Sequence, residues 1–186
     1  MASEHIALEI VTPTGVALRE QVASVTAPSV AGEFGVLPGH LPLLAALRTG
    51  LVAYTLDGQE ERVAVAHGFV EVNDDHALLL TEKFIRKADV DVVGVRDRLA
   101  KVDHELDHWT AELTDPRRAE LIEEEQWLAA QLELIGDPPP ATVREDTRFL
   151  NAHAEPPPEA EFAAEQQPSD SLTDHPSKGG GPFPTA

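Results

Sequence analysis

His104-Glu105-Leu106-Asp107-His108 is the string most suggestive of chemistry, because it fits H-E-x-x-H, in which two histidines one helical turn apart bind zinc and the glutamate activates water. Placed on a helix that turns about 100° per residue, His104 and His108 point away from the stripe of Val102, Leu106, Trp109 and Leu113. A hydrolytic zinc also needs a third ligand and a walled cleft, which an exposed helix face does not supply. A solvated helix face is therefore the reading to prefer, with a zinc-dependent hydrolase using His104, Glu105 and His108 as the enzymatic alternative. No G-x-x-x-x-G-K-[ST], G-x-G-x-x-G or G-x-S-x-G string occurs, and with no cysteine there is no thiolate nucleophile and no disulfide.

The elements that would carry these residues fall into three segments. Residues 4–87 hold short runs rich in Val, Leu, Ile and Ala, broken at Thr12-Pro13-Thr14-Gly15, Pro28, Asp57-Gly58 and Asn73-Asp74-Asp75. Six or more strands in so short a stretch predict a sandwich or flattened barrel over 1–87. From Asp89 the period changes: Val92, Val95, Leu99, Val102, Leu106, Trp109 and Leu113 form one helical stripe. Thr114-Asp115-Pro116 then ends that helix in a tight turn and starts another carrying Leu121, Leu128, Leu132 and Ile135, closed by Gly136. The expectation is an α+β chain: an N-terminal antiparallel β-sandwich or flattened barrel, a two-helix antiparallel hairpin over 88–136, and a tail over 137–186. The tail holds 10 of the 15 prolines and little apolar periodicity, which reads as disorder. Within it Arg148-Phe149-Leu150 reads as an incidental apolar spot rather than a short sticky element.

Charge narrows the partners. The chain has 33 acidic residues against 14 basic ones, with the excess spread over all three segments. Such a surface is repelled by nucleic acid and by anionic lipid, and it suits basic protein partners. Apolar runs such as Leu43–Leu47 fall far short of the roughly 20 residues that span a bilayer, and the N-terminus lacks the pattern of a secretory signal. Membrane association, if any, goes through other proteins.

The most distinctive string is Gly32-Glu33-Phe34-Gly35-Val36-Leu37-Pro38-Gly39-His40-Leu41-Pro42-Leu43-Leu44. Its glycines and prolines predict a rigid loop, with Phe34, Leu37 and Leu41 anchoring it to the core and Glu33 and His40 displayed on it. This string resembles the G-E-x-G-I-x-P-G-H-x-P-L-L stretch of the epsilon subunits of bacterial F-type ATP synthases. Val65-Ala66-His67-Gly68-Phe69-Val70-Glu71-Val72, Ala77-Leu78-Leu79-Leu80 and Ala88-Asp89-Val90-Asp91 resemble three further elements of that family, so that the likeness runs from residue 4 to about 135.

The resemblance implies a non-catalytic rotor subunit without a cofactor, coupling the gamma subunit to the c ring during proton-driven ATP synthesis. It would sit peripherally on the cytoplasmic side of the bacterial inner membrane. By position Glu33 matches the c-ring contact and His40 the gamma contact. The family's ATP motif, I/L-D-x-x-R-A, keeps its aspartate as Asp91 but has Gly94 in place of the arginine, so ATP binding is not expected. His67 replaces the first of two family glycines. In many relatives a basic second helix inhibits hydrolysis by docking on the catalytic beta subunit. Residues 117–135 here carry two arginines against five glutamates, a net of −3, which works against that docking. The alternative of a different class is a free-standing sandwich adaptor whose acidic tail recruits basic partners.

Overall fold

The computed structural model describes residues 4–139. The disordered tail expected over 137–186, with Arg148-Phe149-Leu150, lies outside the described residues from 140 onward. Ten strands precede the helices: β1 (Ile6–Thr12), β2 (Gly15–Val22), β3 (Ser24–Ser29), β4 (Gly32–Val36), β5 (Leu43–Leu47), β6 (Gly50–Leu56), β7 (Gln59–Val65), β8 (Gly68–Asn73), β9 (His76–Thr81) and β10 (Phe84–Arg86). They form one sheet in the order β10-β7-β6-β3-β5-β8-β9-β1-β2, with β4 paired to β3. All pairings are antiparallel except β1 with β9.

The sheet wraps a core whose fully buried members include Ile6, Leu8, Ile10, Val25, Val52, Val65, Val70 and Leu79. These residues alternate along their strands, as a surface with one wet face requires. Asp57 and Gly58 adopt φ of 50° and 77°, and Asp74 and Asp75 adopt 47° and 58°. Aspartate and glycine both tolerate the left-handed region, and these residues close β6–β7 and β8–β9 tightly, where the sequence placed its turns. Residues 16–27 do not form one run. The chain breaks at Ala23 between β2 and β3, and Pro28 lies inside β3 opposite Glu33.

A 3-10 turn (Lys87–Asp89) leads to α1 (Val92–Asp107) and α2 (Pro116–Ile135). Asp91 caps α1 by accepting from the Gly94 N–H, Asp115 caps α2 by accepting from the Arg117 N–H, and Gly136 ends α2 at φ 88°. The first helix is shorter than its apolar stripe suggests. It stops at Asp107, and residues 108–115 form an irregular connection rather than a tight turn. Trp109 donates to the Glu112 carbonyl at 3.1 Å and folds back on the helices, whereas Leu113 is 70% exposed.

Val95, Leu99, Val102 and Leu106 pack against Leu121, Ile122, Leu128 and Leu132. α2 rests on the sandwich through Trp127, Ala130 and Leu134, which meet Leu51, Ala64 and Ile85. The Lys83 ammonium lies 5.9 Å from the centre of the Trp127 ring, adding a cation–π contact to this seam.

Candidate functional site

The residues singled out by sequence separate. Gly32–Val36 is a strand, not part of a loop, so Glu33 sits near the β3–β4 hairpin tip while His40 lies beyond the other end of β4. About 10 Å of strand separates Glu33 from Val36, and the chain runs on from there to His40. The expectation of one rigid loop bearing both residues is corrected: strand pairing to β3 stiffens the first half of the string.

At the tip, Ser29 Oγ donates to the Gly32 carbonyl at 2.6 Å and accepts from the Ala31 N–H at 3.1 Å. Arg48 N–H donates to the Pro28 carbonyl at 3.1 Å, tying the β5–β6 connection to the same end. This bracing holds Glu33 exposed beside Val30, which is 69% exposed. At the opposite end, His40 N–H donates to the Leu37 carbonyl and Gly39 N–H to Asp75 Oδ1 at 2.6 Å. His40 Nδ1 lies 2.7 Å from the Leu41 carbonyl, so Nδ1 carries the hydrogen and Nε2 is the nitrogen left to face a partner. Phe34 packs on the core as expected. Leu37 and Leu41 do not, being 62% and 79% exposed, because the loop is held by hydrogen bonds instead.

Strand register reveals a feature that sequence reasoning missed. Ala46, Phe69, Leu80, Val11 and Val16 are successive neighbours across β5, β8, β9, β1 and β2, and so share the outer face. Phe69 is 59%, Leu80 47% and Val16 54% exposed, making an apolar row five strands wide. A groove of about 450 Å³ opens at one edge of the row between Val11, Pro13, His67, Phe69, Leu80 and Glu82. The signal was the run Ala77-Leu78-Leu79-Leu80, since a strand with one wet face alternates and this one does not. The next row is polar at Glu71, Glu9 and Arg19. There Glu9 accepts from Arg19 at 2.7 Å, and that hydrogen bond leads the causes holding its carboxyl below the usual range. An apolar strip bordered by charge is the composition of a protein-binding face.

His67 stands at the end of this groove, and its neighbour explains why a side chain is tolerated there. A Cβ on Gly68 would lie 1.9 Å from the Leu80 carbonyl oxygen, whereas His67 is exposed. The second position of the pair therefore needs glycine and the first does not.

The helical candidates are structural. Asp91 is engaged as a cap, and a Cβ on Gly94 would lie 2.4 Å from Asp91 Oδ2, so a larger residue at 94 presses on that cap. The His104 and His108 rings stack at 4.1 Å with an interplanar angle of 21° on the exposed face of α1. His108 Nδ1 is tied to the His104 carbonyl at 2.8 Å. Stacked rings aim their in-plane lone pairs side by side rather than at one point, and among the described residues no third ligand joins them. The hydrolase alternative has no support in this geometry.

Known proteins agree with these features. The family model for the ATP synthase delta/epsilon chain, beta-sandwich domain, matches residues 5–87. The ATP synthase epsilon chain of Nitratidesulfovibrio vulgaris (strain DP4) is 42% identical over 112 residues, covering 56% of this chain and 84% of that one. The ATP synthase epsilon chain of Trichlorobacter lovleyi is 40% identical over 110 residues, covering 59% and 80%. A chain in the cryo-EM structure of the Euglena gracilis mitochondrial ATP synthase, OSCP/F1/c-ring, shares the fold at a TM-score of 0.60 and 21% identity, covering 72% of this chain and 82% of that chain. With a sandwich of this register, a hairpin capped at Asp91 and Asp115, and relatives matched over most of their length, the chain belongs to the ATP synthase epsilon chain family.

Proposed function

We propose that this chain is a non-catalytic subunit of the ATP synthase central stalk, bridging the gamma subunit and the c ring so that both turn as one body. The observation that carries the reading is the apolar row from Ala46 to Val16, a face too wet-facing and too continuous to be left uncovered in a rotating shaft. Gamma would cover that face and reach the His40 end. Glu33, at the far end of β4, would meet the polar loops of the c ring, where a surface ion pair contributes only about 0 to 1 kcal/mol and serves mainly to set register. The complex would hold the chain at the cytoplasmic side of a bacterial inner membrane. No helix among the described residues is long and apolar enough to cross one.

The hairpin is proposed to be a poor inhibitor. Arg96, Arg98 and Arg117 are taken up by Asp137, Glu124 and Glu105, so few cations remain on its surface to meet an acidic partner. Asp91, spent on its cap beside Gly94, leaves no arrangement suited to a triphosphate. Co-expression with gamma tests the central reading. Phe69→Glu with Leu80→Glu is expected to abolish co-purification while the variant stays folded, and undiminished recovery of gamma would overturn it.

A further inference from the structure

The groove at the edge of the apolar row carries a charge that burial of the row does not require. Glu82 lies on its rim, beside Phe69 and Leu80. Glu82 is exposed, and among the described residues no cation pairs with its carboxylate. Lys83, next in the chain, is engaged elsewhere, its ammonium 5.9 Å from the centre of the Trp127 ring on the hairpin seam. Arg19 is taken up by Glu9 at 2.7 Å, and Arg48 follows β5, two strands away from β9. His67 meets Glu82 through the backbone, its carbonyl accepting from the Glu82 N–H at 3.3 Å.

Both walls of the groove are braced. The buried Thr81 hydroxyl lies 2.9 Å from the Ala66 carbonyl and 3.1 Å from the Lys83 carbonyl, fixing the chain on either side of Glu82. Across the groove, Thr12 Oγ1 donates to the Gly15 carbonyl at 3.2 Å and closes the β1–β2 turn that carries Pro13. An opening of about 450 Å³ is thus held ready, so that little ordering is left for a partner to impose.

An apolar wall with one carboxylate at its end selects an amphipathic cation. The stem of a long basic side chain covers Leu80, and its charge reaches Glu82, about 7 Å further along the strand direction. Arginine suits the place better than lysine. Its flat, weakly hydrated guanidinium stacks on the Phe69 ring, 59% exposed, and can meet both carboxylate oxygens at once. An anionic group is repelled there, and a purely apolar side chain would leave Glu82 covered and uncompensated. We propose that the groove between Phe69, Leu80 and Glu82 is the socket for one arginine of the gamma subunit, which anchors the apolar row and sets its position on the shaft. This rests on the rotor reading above and adds the chemistry of the contact. Glu82 then determines specificity, since a partner without a cation at this point buries an unpaired carboxylate.

The test uses the full chain bound to the gamma subunit of the same synthase, with release of labelled chain followed in the presence of excess unlabelled chain. Glu82→Gln should speed release at least about tenfold, because one member of a desolvated charge pair is lost. Glu61→Gln, the same charge change on the distant strand β7, should alter it by less than about twofold. Glu82→Arg should abolish the complex, and changing a single gamma arginine to glutamate should restore it. Equal release of the native and Glu82→Gln chains would overturn the socket and leave the rotor reading standing. So would equal acceleration by both glutamine variants, or rescue of Glu82→Arg through a gamma lysine or through no gamma residue. Failure of the native chain to bind gamma at all would overturn the socket and the rotor reading together.

Discussion

The sandwich and the hairpin solve the same problem, burying apolar surface, with different degrees of redundancy. In the sandwich, side chains from nine strands meet in one continuous cluster, so each buried residue is held by neighbours remote in sequence. In the hairpin the cluster is a single seam between two helices, resting on the sandwich through a smaller patch around Ala130 and Leu134. The rigid part is thus the part that displays Glu33, His40 and the apolar row. The hairpin is secured by fewer contacts and by exposed ion pairs, which makes it the part that opens at lower cost.

Substitutions can break or sharpen this contrast. Leu8→Ala, at a fully buried site, is expected to lower global stability by about 2–5 kcal/mol in urea titrations monitored over the whole chain. Leu121→Ala, equally buried, should remove up to a similar about 2–5 kcal/mol from the hairpin alone, speeding amide exchange in α1 and α2 while β1 and β9 stay protected. If both substitutions loosen both regions alike, the two are one cooperative unit and the contrast fails. Asp91→Ala should cost the hairpin about 1 kcal/mol by removing the cap, with no change in nucleotide binding measured calorimetrically.

The smallest effect concerns Glu124. The Arg98 hydrogen bonds, 2.6 Å to each oxygen, hold the Glu124 carboxyl below the usual glutamate range. A carboxylate with a depressed folded pKa stabilises fully above its unfolded pKa, and that contribution is lost as pH falls through the folded value. The hairpin should therefore loosen on acidification below the ordinary glutamate range. Arg98→Ala should weaken that dependence, read as a smaller change in hairpin amide exchange between neutral and acidic pH, with little effect at neutral pH because the pair is exposed.

Much of this was legible in the residues. Turns at Asp57-Gly58 and Asp74-Asp75, caps at Asp115 and Gly136, and the two helical stripes follow from local chemistry that tertiary structure had no reason to override. The failures share a cause. Glu33 and His40 looked like neighbours because a Gly- and Pro-rich string reads as a loop, and only pairing to β3 shows its first half to be a strand. Leu113 continued an apolar period past the point where the Trp109 side chain closes the connection. The row from Ala46 to Val16 joins five strands from separate parts of the sequence, so no local pattern contains it.

The central claim, that one rigid sandwich bridges two partners at opposite ends, is tested most directly by cross-linking in the assembled synthase. In a chain free of cysteine, Glu33→Cys and His40→Cys each provide one attachment point for a short thiol-directed reagent. The account predicts that the thiol at position 33 joins a c subunit and the thiol at position 40 joins gamma. Capture of the same subunit from both positions would contradict it.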